Sequence, residues 1–116
     1  MEICFEGVGQ TAATFQAEEG VQPGMAVTLT GSGAVGRGAD GALPCGVALG
    51  RVRGGAAAVQ IGGAARVSYS GGAAPEAGWQ SLVCDGAGGV RVSGSGGLSC
   101  LVLAVDTQAR TAVLKL

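Results

Sequence analysis

Histidine is absent from the 116 residues. That removes the side chain best suited to moving protons at neutral pH, and any Cys/His zinc site with it. Aromatics are scarce, with one Trp, one Tyr and two Phe, so a core cannot be built on large rings. Lys115 is the sole lysine. A lipoyl- or biotinyl-type carrier needs a modifiable lysine at a hairpin tip, and Lys115 stands at the chain end, so that class is excluded. No apolar run approaches the roughly 18 residues of a transmembrane helix. Met1–Glu6 lacks the basic-then-apolar order of a secretory leader, so a cytoplasmic product is expected. The net charge of −1 leaves no basic footprint for nucleic acid and nothing polybasic to hold an anionic membrane.

What the chain does have is glycine, 24 residues of it, within a composition that is 47% hydrophobic. The core must come from Val, Leu, Ile and Ala, and the glycines supply turns between many short strands. A chain of this length is near the usual size of one domain and can bury roughly 65% of its unfolded surface. Apolar residues alternate with small or polar ones in Thr11–Ala17, Met25–Thr30, Ala34–Arg37, Cys45–Val52, Ala56–Ile61 and Ala64–Ser70. The pattern continues in Trp79–Cys84, Val90–Ser93, Ser99–Val105 and Arg110–Leu116. Gly-, Pro- or Asp-containing turns separate these runs, and none has a helical period with caps. The fold expected is all-β, a compact barrel or sandwich of nine or ten short strands. Ser99–Val105, apolar on both faces, is expected to be the most buried. Arg37, Arg66, Arg91 and Lys115 are expected to face outward and blunt strand edges.

The two halves resemble one another. Leu43-Pro44-Cys45-Gly46-Val47 aligns with Leu98-Ser99-Cys100-Leu101-Val102 at an offset of 55 residues, which also sets Val35 on Val90 and Val59 on Leu114. Pro23-Gly24-Met25 falls opposite Ala77-Gly78-Trp79 at 54. Either the chain is duplicated or the halves share strand-and-turn grammar; a duplicated unit of this size buries its apolar face against its copy. The organisation expected is an arm or edge strand over 1–15 and a single β domain over 16–116. Within it the copies are 21–63 and 75–116, joined at the loop Gly71–Glu76.

Little of the sequence suggests chemistry. Gly31-Ser32-Gly33-Ala34-Val35-Gly36 satisfies G-x-G-x-x-G, but that pattern binds a dinucleotide only between a strand and a helix. Asp40, Asp85 and Asp106 sit in turns, where a carboxylate caps backbone N–H groups. Glu18-Glu19 lacks the alternating spacing of a calcium loop. Of the four cysteines, Cys45, Cys84 and Cys100 lie in apolar strand-like runs and are expected to be reduced and buried; a Cys45–Cys100 disulfide is the alternative if the copies face each other. No catalytic residue, metal ligand or cofactor is expected. The candidate contact residues are Phe5, Phe15 and Trp79, with a core plug as the other role for Trp79.

Val21-Gln22-Pro23-Gly24-Met25-Ala26-Val27-Thr28-Leu29, followed by Gly46-Val47-Ala48, Val59-Gln60-Ile61-Gly62 and Val67-Ser68-Tyr69, resembles the pattern of small phage capsid decoration (cement) proteins and related β-rich phage proteins. The similarity spans residues 15–116. It implies a non-enzymatic body that sits on a capsid lattice, often as a trimer, with residues 1–15 as an arm against the shell. The partner implied is protein, either a lattice or further copies, and the place of residence a virion. The high Ala/Gly content and four cysteines depart from the family. The alternative function is a small-ligand or glycan-binding β module, for which Trp79 is the best anchor.

Overall fold

The computed structural model describes residues 11–51, 54–94 and 96–116. Ten strands and no helix are found among them. The first five are β1 (Thr11–Ala17), β2 (Ala26–Gly31), β3 (Ala34–Arg37), β4 (Gly46–Arg51) and β5 (Ala56–Gly62). The next five are β6 (Ala64–Ser70), β7 (Gly78–Cys84), β8 (Val90–Val92), β9 (Leu98–Asp106) and β10 (Thr111–Lys115). Each set closes into its own five-stranded barrel, in the order β1-β3-β2-β4-β5 and β6-β8-β7-β9-β10.

An odd number of strands in a ring cannot alternate direction throughout, so one neighbouring pair must be parallel. The same pair serves in both barrels, β1 with β3 and β6 with β8. Every other pairing is antiparallel and recurs in kind. The β4–β5 and β9–β10 ladders each carry a bulge. The chain is thus two copies of one barrel topology, as its internal similarity suggested.

The hydrogen-bond registers correct the sequence alignment. The bulge at Leu49 in β4 matches that at Leu103 in β9, which sets Ala48 on Val102 at 54 residues and Val59 on Leu114 at 55. Ala26, paired with Val47, then falls on Trp79, paired with Leu101, at 53. Gly24, whose N–H donates to Ala48 O, stands opposite Ala48 as Gly78 stands opposite Val102, and both have positive φ. Cys100 is the counterpart of Gly46, and Cys45 is that of Ser99. Bulges and unequal hairpins make the offset vary along the chain, so a constant 55 drifts out of phase. The repeat also starts earlier than 21 and 75, because β1 and β6 belong to it. Met1–Gln10 of the expected arm lie outside the described residues, while Thr11–Phe15 are in β1. The copies join at Gly63, with φ 84°; Gly71–Glu76 lies inside the second barrel, between β6 and β7.

Val21, Val27, Val35, Ala48 and Val59 fill the first barrel, with Phe15 and Ala17 packed against them. Leu82, Leu114, Val67, Tyr69, Cys84, Val90, Cys100 and Val102 fill the second. In β9 only Cys100 and Val102 are buried, so β9 is not the most buried strand. Leu101 and Leu103, on its outer face, are half-buried. In β4 the bulge between Ala48 and Gly50 breaks the alternation and leaves Leu49 exposed.

Candidate functional site

The seam between the barrels is the most elaborated part of the molecule. Among the described residues three backbone hydrogen bonds cross it. Ala26 N–H donates to Gly88 O (2.8 Å), Gly41 N–H to Cys84 O (2.9 Å), and Cys84 N–H to Ala42 O (2.7 Å). The β3–β4 loop therefore runs beside the end of β7 as a short added strand. Gly38 permits this, since a Cβ there would collide with the Cys84 Sγ. Arg91 Nε donates to Asp40 Oδ1 across the same seam (2.7 Å). Ala26 and Val47, from the first barrel, belong to the apolar cluster of the second. Gln60 is the one buried polar side chain among the described residues. Its Nε2 donates to Gly62 O and Ala64 O, both at 2.9 Å, bracketing the Gly63 junction.

A cavity of about 220 Å³ opens at this seam. Its walls are Ala26, Pro44, Cys45, Gly46, Val47 and Ile61 from the first barrel, and Val67, Val90, Leu98–Cys100 and Leu114–Leu116 from the second. The shared bulge makes Cys45 and Ser99, Gly46 and Cys100, and Ile61 and Leu116 three equivalent pairs. Both barrels thus turn the same edge towards one cavity. Lys115 is the only charged residue among the described residues of the lining.

The thiols of Cys45, Cys84 and Cys100 are free. Cys84 and Cys100 are buried as expected, but Cys45 is exposed, because it precedes β4 and closes no core. Burial raises the pKa of Cys45 and Cys100. Burial, then the Asp85 carboxylate and Cys45, push Cys84 up to about 11. None of the three is thereby primed as a thiolate at neutral pH.

The turn carboxylates are structural in two cases and a cross-seam partner in the third. Asp85 Oδ1 accepts from Ala87 N–H (2.7 Å) and Gly89 N–H (3.0 Å), and its Oδ2 from Ser70 Oγ (2.8 Å). Burial alone would raise its pKa; these hydrogen bonds outweigh it and hold the carboxyl below its ordinary value. Asp106 Oδ1 accepts from Gln108 and Ala109 N–H. Asp40 reaches Arg91 instead of its own turn. Gly31–Gly36 spans the β2–β3 hairpin, so no helix follows the glycines. Among the described residues no group of three His, Cys, Asp or Glu could hold a metal ion.

Of the contact candidates, Phe5 lies outside the described residues and Phe15 is half-buried against the first core. Trp79 is 68% exposed and does not plug the core. Gly78 starts β7, and Trp79, paired with Leu101, faces out of the barrel. Its equivalent in the first barrel is Ala26, which is buried in the seam; Met25, just before it, packs beside Gly88. Sequence reasoning missed the seam itself; the signal available was the cluster Gly36–Gly41, too glycine-rich for a turn alone. The chain matches no protein-family model and no curated protein.

Proposed function

We propose that this chain is a non-enzymatic structural protein that works by contact, resembling a capsid decoration protein that binds a capsid-like lattice or further copies of itself, as a trimer, and stabilises a shell. On this reading it is made in the cytoplasm and resides in the virion. The observation that carries the reading is Trp79. The position at which the first barrel spends Ala26 on contact with its neighbour is filled in the second by the largest side chain in the chain, left two-thirds exposed. A tryptophan buried at an interface supplies 150–250 Å² of contact and is a typical energetic anchor. Leu29, Leu43 and Leu49 add further exposed apolar surface.

The test is co-sedimentation with expanded capsid shells, with sedimentation velocity over a wide concentration range. Binding or self-association should fall at least about tenfold in Trp79→Ala, since anchors of this kind cost about 2 kcal/mol or more when truncated. A chain that stays monomeric at all concentrations and ignores capsids would overturn the proposal.

A further inference from the structure

The seam cavity has features that a contact scaffold does not require. Protein interiors pack with few voids larger than a water molecule. Here a space of about 220 Å³ lies where two closed barrels meet. An engineered apolar cavity of roughly 150 Å³ stays dry and takes up benzene, so this one is large enough for a bigger apolar body. Val47, Val67, Val90 and Leu114 supply buried walls, while Ile61 and Leu98 are partly exposed at its edge. Lys115 also lines the cavity, an exposed cation that makes no ion pair among the described residues. The largely apolar lining is therefore broken at one position by a positive charge.

We propose that the seam cavity is a binding site for a small amphipathic carboxylate, a medium-length hydrocarbon chain with one anionic head. The chain would lie against Val47, Val67, Val90 and Leu114, replacing void with van der Waals contact. The head would stay at the wet edge with Lys115, where it keeps its hydration and gains an opposite charge. The site is independent of the capsid reading, because Trp79 does not line the cavity and either function can exist without the other.

Cys45 provides a reporter, since it is exposed and lines the cavity. Its alkylation by iodoacetamide, followed by mass spectrometry of the Cys45 peptide, should slow in a saturable way as octanoate is added to the full chain. Octan-1-ol should protect about tenfold less well, and Lys115→Met should erase that difference. Ile61→Trp, at the cavity edge, and Val47→Phe, in its wall, should each abolish protection; the edge variant keeps the test decisive if the wall variant fails to fold. Absence of saturable protection would overturn the site, as would full protection in a folded Ile61→Trp protein. Equal protection by octan-1-ol and octanoate would overturn the assignment of an anionic ligand.

Discussion

The first barrel closes over five small buried residues, the second over a larger set that includes Leu82, Leu114 and Tyr69 and borrows Ala26 and Val47 from its neighbour. Strand order, the parallel closure and the bulged hairpin are common to both. The difference teaches that one topology tolerates two core volumes, provided the outer wall of one barrel finishes the core of the other. The hairpins differ in the same sense. Two residues join β2 to β3, whereas Asp85–Gly89 join β7 to β8, and that longer turn carries the Gly88 carbonyl that receives Ala26 N–H. The elaborations of the second barrel thus serve the seam.

Core truncation should separate the barrels most strongly. Leu82 is fully buried, and Leu82→Ala should cost about 3–4 kcal/mol, counting lost transfer energy and residual cavity together. Val35, equally buried in the first barrel, should cost about 2 kcal/mol as Ala, having fewer methyl groups to lose. Urea titration checks both. Because Ala26 and Val47 sit in the second core, each variant should lower one shared transition. Two separated transitions would show that the barrels are energetically independent despite the seam.

The seam itself comes next. Gly38→Ala places a methyl group against the Cys84 Sγ and its Cβ, both inside the second barrel's wall. Neither can swing away without disturbing a strand. Overpacking of this kind typically costs about 1–3 kcal/mol, and about 2 kcal/mol is expected by the same titration. Gly50→Ala, where an added Cβ meets nothing within 4 Å, is the control and should change stability little.

Much of this architecture was legible in the sequence, and its limits have physical causes. All ten strands follow from period-two alternation between glycine-bearing turns; Ala65, Val67 and Tyr69 are buried and Arg66 and Ser68 exposed as that alternation demands. The internal similarity was legible too, as Gly24 and Gly78 show. Its register was not, because Cys45 and Cys100 look like partners in a chain of few distinctive residues, and only the bulge shared by the β4–β5 and β9–β10 ladders separates them. Closure into two barrels depends on strands distant in sequence, and no local pattern encodes it. The role of Asp40 was hidden for the same reason, since its partner Arg91 lies 51 residues away. The exposure of Trp79 was likewise not readable, as an aromatic beside a strand start suits a plug and a contact equally.

Asp85 gives a smaller and pH-dependent contrast. The first barrel has no counterpart to it, since the turn from β2 to β3 has only two residues, Ser32 and Gly33, and carries no carboxylate. Asp85→Ala should cost about 2 kcal/mol, the value of hydrogen bonds to a charged group left without their acceptor. The sign of the acid effect follows from the lowered pKa. The folded state holds this proton more weakly than the unfolded chain, so the stabilisation is complete above the ordinary carboxyl value of 3.8 and is lost as pH falls through the lower folded value. Wild type should therefore lose stability below about pH 4 more steeply than the variant. Parallel slopes in acid would remove Asp85 from the account.

The smallest expected effect is the most telling about the two barrels' outer faces. Met25 and Trp79 stand at the entries to the corresponding strands β2 and β7, yet Met25 packs beside Gly88 in the seam and Trp79 is 68% exposed. Met25→Ala should cost about 1 kcal/mol, because a half-buried side chain loses part of its apolar contact. Trp79→Ala, although it deletes far more atoms, should change stability by no more than about 0.5 kcal/mol, as a residue left two-thirds exposed contributes little to folding. Thermal melts of the two variants at low protein concentration make the comparison free of self-association. A larger loss for Trp79→Ala would mean that the indole is spent inside its own chain, like Met25. The order expected here leaves Trp79 to contribute to contacts beyond the chain, where its area has not already been used.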